Sequence, residues 1–181
     1  SCLVEKVGID EEDWANQWKQ FYKPLRIGEH LVVLPPWEKT EIREGDVVVI
    51  MDPGMAFGTG SHETTSLCIE FLQTVDLKSV RVLDVGCGSG ILSQAAVMLG
   101  CPYACGCDID EAAVSCAISN AKLNNLIDKT DYYSGDLLEK IHDKYEVVVA
   151  NIVADAIIAL SDSAANHMKE NGYFLCSGII D

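Results

Sequence analysis

The sequence predicts an α/β fold, a mostly parallel sheet with helices on both faces, and three observations carry that expectation. From about residue 52 onward, short apolar runs alternate with segments of helical spacing. Residues 80–85 form an apolar run suited to a strand buried on both faces, and a glycine turn then leads into helical spacing over residues 91–99. The glycine turn, Asp108, Asp136 and Asn151 all fall at the carboxyl ends of predicted strands, where open α/β sheets bind ligands.

The elements follow in order. Residues 1–51 read as a linker helix and a lead-in hairpin, not an independent domain: a short helix around 14–21, then extended segments at 31–34 and 47–51 separated by the turn-rich PPWEKTEIREG. Residues 52–181 read as the ligand-binding domain. It begins with a helix over 61–74, followed by the strand and helix around the glycine turn. A strand over 103–109 and a helix over 111–124 come next. Strands near 131–134, 145–150 and 173–177 complete the sheet, with a helix near 155–168 between the last two. The last strand would be an exposed edge, which natural sheets avoid, so the chain is expected to be a fragment of a longer protein.

The turn indicates what binds. In VLDVGCGSG, glycine at Gly86, Gly88 and Gly90 removes the β-carbons that would block a ligand, so backbone amides can face a small polar group at the helix start. Asp84 enters this turn, either to cap it through its amides or to contact the ligand. Asp108 follows the first glycine by about 20 residues, the offset at which an acid grips ribose hydroxyls. A nucleoside-containing ligand is implied. Dinucleotide sites favour G-x-G-x-x-G, and here the third glycine comes one residue early. The pattern D-x-G-x-G-x-G resembles motif I of the class I methyltransferases, with a dinucleotide module as the alternative.

A longer resemblance narrows the choice. DPGMAFGTGSHETT at 52–65, together with the Trp-rich lead-in (Trp14, Trp18), LPPW at 34–37, VLDVGCGSGIL, CDID at 107–110 and VVVANI at 147–152, resembles the ribosomal protein L-eleven methyltransferases of the PrmA type. That resemblance implies a Rossmann-like class I methyltransferase fold, here lacking its final strands, and a small substrate-recognition domain upstream of the lead-in. It implies S-adenosylmethionine as cofactor. It also implies a protein N-methyltransferase acting on amino groups of ribosomal protein L-eleven, free or in the ribosome: lysine side chains and the N-terminal amine. The family's cofactor-binding positions fall on Thr65, Gly86, Asp108 and Asn151, with Gly88 in the same motif. Asp136 either contacts the adenine amino group or begins the next helix. Asn151 is the candidate catalytic residue, its amide oxygen accepting from the amine. Enzymes acting on planar nitrogens often carry Asn-Pro-Pro-Tyr here, whereas this chain has Asn151-Ile152-Val153-Ala154, which favours an aliphatic amine. Phe57 either stacks near the sulfonium or packs the loop, and His62 is either a base or part of a helix start.

Composition agrees with an enzyme domain. The chain has 181 residues, 49% hydrophobic, enough for one core and incompatible with disorder. No apolar run approaches the roughly 20 residues of a membrane span, and a cytoplasmic monomer without membrane contact is expected. With 28 acidic residues against 13 Lys and Arg, the formal charge of -15 disfavours direct nucleic acid binding and favours basic protein partners. Eight cysteines lie largely within apolar patterns and read as reduced, small hydrophobes. Cys101, Cys105 and Cys107 lack a complementary pair at a zinc spacing, so no metal is expected. Cys87 sits where a helix N-terminus could lower its pKa, although packing beside the cofactor is the preferred reading.

Overall fold

The computed structural model describes residues 18–52, 63–136 and 138–179. Trp14, Phe57 and His62 lie outside the described residues, as does the start of the helix expected from 61. The described residues begin with a 3-10 turn, Trp18–Phe21, and a small sheet of β1 (Leu25–Ile27), β2 (Leu31–Leu34) and β3 (Val47–Ile50). Helix α1 (Glu63–Thr74) leads into the second sheet. There β4 (Arg81–Val85), α2 (Ile91–Met98), β5 (Tyr103–Asp108), α3 (Glu111–Leu123) and β6 (Thr130–Ser134) follow in turn. The chain closes with β7 (Tyr145–Asn151), α4 (Ala154–Ala164) and β8 (Met168–Ser177).

All pairings in the five-stranded sheet are parallel, in the order β6-β5-β4-β7-β8. The order reverses direction between β4 and β7, which opens a crevice at their carboxyl ends. Alternate side chains supply two cores: Val82, Val147 and Val149 face one with residues of α1, α2 and α3, while Leu83, Val85, Val148 and Ala150 face the other with Leu160 and Ala164 of α4. The expected α/β architecture with helices on both faces is the one observed.

Two expectations need correction. The segments 31–34 and 47–50 do not form a hairpin; β2 and β3 run parallel, with Leu31 opposite Val47 and Leu34 opposite Ile50. The hairpin lies one element earlier, where β1 pairs antiparallel with β2 around Gly28 at φ +61°. Three residues were too few to show alternation in the sequence. The small sheet shares the first core through Ile27, Leu31, Val33 and Val49. Helix α2 is therefore sandwiched between two sheets, and residues 91–97 are all buried.

The helix expected to reach 168 instead ends at Ala164, and β8 starts at Met168. Between Met168, opposite Tyr145, and Tyr173, opposite Val147, the strand bulges, with Asn171 at φ +61°. A β-carbon on Gly172 would lie 2.8 Å from the Glu146 carbonyl oxygen, so the close return requires glycine.

Candidate functional site

A cavity of ≈ 620 Å³ opens at the carboxyl ends of β4, β5 and β7. It is lined by Thr65, Asp84, Gly86, Gly88, Asp108, Asp136 and Asn151, which brings every expected binding residue to one place. Residues Ile152, Val153, Ala156 and Gly178 complete its other wall.

The glycine turn holds itself together. Gly86, Gly88 and Gly90 all adopt positive φ, at 71°, 53° and 78°, which glycine adopts without strain. At Gly86 a second constraint applies, because a β-carbon would lie 2.2 Å from Cγ2 of Ile152. The amides of Gly86 and Cys87 donate to the Cys107 carbonyl at 2.8 and 3.0 Å. Gly90 donates to the Cys87 carbonyl at 2.8 Å, and Gly88 to Oδ2 of Asp108 at 2.9 Å. These four donors, expected to face a ligand, are spent within the protein.

The carboxylates divide their work. Asp108 accepts from Gly88 through Oδ2 and from the Asp110 amide through Oδ1 at 3.0 Å. A carboxylate offers about four lone-pair positions, so two remain for ribose hydroxyls. Asp84 is 1% exposed, and its Oδ2 accepts from the Ser93 amide at 3.1 Å. It thus caps the first turn of α2 and not the glycine turn. Burial pushes its carboxyl up to about 7; the bonds from Ser93 oppose that rise and the nearby Asp108 charge adds to it. Asp136 is exposed at the rim and opens a turn rather than an α-helix, its carbonyl accepting from the Glu139 amide at 3.2 Å.

Across the crevice, Asn151 Nδ2 donates to Thr65 Oγ1 at 3.0 Å, and Thr65 is buried at the start of α1. The close approach of Gly178, at φ +86°, leaves no room for a side chain. A β-carbon there would lie 2.6 Å from the Ile152 carbonyl oxygen and 3.1 Å from Asn151 Oδ1. Gly178 follows β8 and was missed in the sequence, where a lone glycine after a strand reads as an ordinary turn.

Of the seven described cysteines, five are buried, and Cys116 and Cys176 are partly buried. Cys105 and Cys107 face the second core, and burial raises their thiols to about 11 and about 12. Cys87 lines the cavity, yet burial raises its thiol as well, so the helix start does not activate it. Cys101 points elsewhere, its Sγ 3.1 Å from the Val80 carbonyl.

The family model described as ribosomal protein L11 methyltransferase (PrmA) matches residues 3–181. A ribosomal protein L11 methyltransferase of Caldanaerobacter subterraneus subsp. tengcongensis is 52% identical over 177 residues, which cover 98% of this chain and 57% of that protein. The chain thus spans little more than half the length of that relative. The crystal structure of a ribosomal protein L11 methylase from Lactobacillus delbrueckii subsp. bulgaricus superposes with a TM-score of 0.81 at 33% identity, covering 87% of this chain and 81% of that one. A 16S rRNA methyltransferase of T. thermophilus, 24% identical and covering 67% of this chain and 36% of its own, shares the fold at a TM-score of 0.60. With the family match running over nearly its whole length, the chain belongs to the ribosomal protein L11 methyltransferase (PrmA) family.

Proposed function

We propose that this chain carries the S-adenosylmethionine site of a protein N-methyltransferase that modifies amino groups of ribosomal protein L11. One observation supports the cofactor best: the spent amides of the glycine turn. A pyrophosphate needs free N–H donors at such a turn. Here Gly86, Cys87, Gly88 and Gly90 donate internally. Asp84, Asp108 and Asp136 line the same cavity, and none of them forms an ion pair with Lys or Arg among the described residues. Such a cavity repels phosphate and matches a ligand carrying ammonium and sulfonium charges.

Each residue then has a task. Asp108 holds the ribose, Asp136 stands at the adenine edge, and Asp84 with the turn faces the amino acid end. When bound, S-adenosylmethionine supplies a methyl carbon already activated by its sulfonium. The protein must present an uncharged amine in line with it. Freeing a lysine amine of pKa about 10.4 from its proton near pH 7.4 costs about 4 kcal/mol. Desolvation in the cavity lowers that cost, and Asn151, by accepting from the neutral amine, aims its lone pair at the methyl carbon. Its Nδ2 is tied to Thr65 Oγ1 at 3.0 Å, which orients Oδ1 as the acceptor. Ile152 and Val153, in place of a proline pair, leave an apolar wall suited to the methylenes of an aliphatic amine.

In this reading residues 1–51 form the lead-in and 52–181 the cofactor domain of a cytoplasmic monomer that contacts its protein substrate and not nucleic acid. Among the described residues no helix is long and apolar enough to cross a membrane. Calorimetry on the intact protein tests the cofactor: S-adenosylmethionine should bind in preference to NAD, and the reverse preference would sink the reading. Asp108→Ala should weaken that binding about 10- to 100-fold, as loss of hydrogen bonds to a charged acceptor implies. For the substrate, ribosomal proteins incubated with methyl-labelled cofactor should carry label at amines of L11. Label on RNA alone would contradict it.

A further inference from the structure

Two asparagines, Asn120 on α3 and Asn124 at its C-terminal cap, treat the segment leaving β3 as if they were a neighbouring strand. Asn124 Oδ1 accepts from the Ile50 amide at 2.8 Å, and its Nδ2 donates to the Ile50 carbonyl at 2.7 Å. One turn earlier, Asn120 Oδ1 accepts from the Asp52 amide at 2.9 Å, and its Nδ2 donates to the Asp52 carbonyl at 3.1 Å. Four helical residues rise about 6 Å and two strand residues about 6.6 Å, so the two periods match over this span. Met51, between the gripped residues, is buried in the first core.

The two clamps differ in one respect. Asn120 also donates to the Ser89 carbonyl, within the glycine turn, at 3.1 Å. Asn124 instead donates to Gln94 Oε1 on α2 at 2.9 Å. Asn120 is 1% exposed and joins three parts of the molecule: α3, the glycine turn, and the start of DPGMAFGTGSHETT, whose residues Thr64 and Thr65 line the cavity. A buried amide bonded this fully leaves its neighbours little freedom to move.

We propose that Asn120 is a positioning residue for cofactor binding, acting through the Ser89 carbonyl and the Asp52 backbone to hold the glycine turn and the lead-in strand in one register. The proposal rests on the cofactor reading above. Asn124 supplies the control, because it clamps the same strand without touching the turn.

In the intact protein, Asn120→Ala should raise the Kd for S-adenosylmethionine about tenfold, whereas Asn124→Ala should raise it less than about threefold at a comparable loss of Tm. Asn120→Asp keeps the acceptor for the Asp52 amide and loses the donor to Ser89. It should weaken binding as Ala does, and it replaces Ala if that variant fails to fold. Hydrogen exchange of the amides at residues 86–90, measured without cofactor, should quicken in the Asn120 variants and not in Asn124→Ala. Equal effects of the two positions on affinity and exchange, or no effect at Asn120, would overturn the proposal. If the wild-type protein binds no S-adenosylmethionine, the cofactor reading falls while the exchange comparison still decides the role of Asn120.

Discussion

The two ends of the large sheet are built on opposite electrostatic plans. At the amino ends of its strands, charged and polar side chains engage one another across every boundary. The Arg81 guanidinium on β4 lies 4.8 Å from the Tyr103 ring on β5 and 4.9 Å from the Tyr145 ring on β7, and it bonds Asp143 at 2.8 Å. Tyr103 donates to Asp131 on β6 at 2.7 Å, and Lys169 on β8 pairs with Glu146 on β7 at 2.5 Å. At the carboxyl ends, Asp84, Asp108 and Asp136 gather around the cavity without a basic partner among the described residues. One end is closed by its own charges, while the other leaves negative charge for a cationic ligand to match.

The most severe way to break this contrast is to remove the unmatched charge. Asp84 has a folded pKa of about 7 against an ordinary value of 3.8, so between those values the folded state binds more protons than the unfolded. Wild-type stability should therefore fall as pH rises from about 4 to about 7, by roughly 4 kcal/mol from this group. Asp84→Asn should lack that component in denaturant titrations at pH 4.5 and 7.5, both without cofactor. An identical pH slope in the two proteins would refute the assignment.

Next in size is Asn151→Ala, which should lower kcat/KM for methyl transfer about 100-fold, as expected when a reacting group loses its orientation. A change confined to cofactor affinity would assign it to binding alone. Arg81→Ala attacks the paired end, and loss of two cation–π contacts should cost about 1–2 kcal/mol in denaturant unfolding. Cofactor affinity should stay unchanged, and a parallel loss of binding would show the two ends to be coupled. The mildest change is Asp136→Asn, which removes an exposed rim charge and should weaken cofactor binding about threefold or less by calorimetry.

What could be read in advance followed local pattern. The strand, glycine turn and helix around VLDVGCGSG, and the placement of Asp108 and Asn151 at strand ends, rest on neighbours within a few residues. The parallel pairing of β2 with β3 does not, because apolar alternation gives a strand's faces but not its partner's direction. Long-range side-chain clamps are equally silent in sequence. Gln73 on α1 donates to the Ile27 carbonyl at 3.1 Å and accepts from the His30 amide at 3.2 Å, much as Asn120 and Asn124 grip β3 and Asp52. An asparagine or glutamine inside a helix reads as a solvated position until its distant partner is known. The inward use of the turn's amides was hidden for the same reason, since three of the four bond to Cys107 and Asp108 on the next strand.

The wall that Gly178 supplies has a temporal consequence. Cavity residues run from Thr64 to Gly178, and β8 is tied back to α1 by Ser177 Oγ bonding the Thr64 carbonyl at 3.4 Å. Parallel pairing over such separations forms late in folding, after the costly loop closures are made. During synthesis the chain has no complete cavity until its fifth parallel strand has left the ribosome. An assembled cavity therefore reports that β8 has docked beside β7.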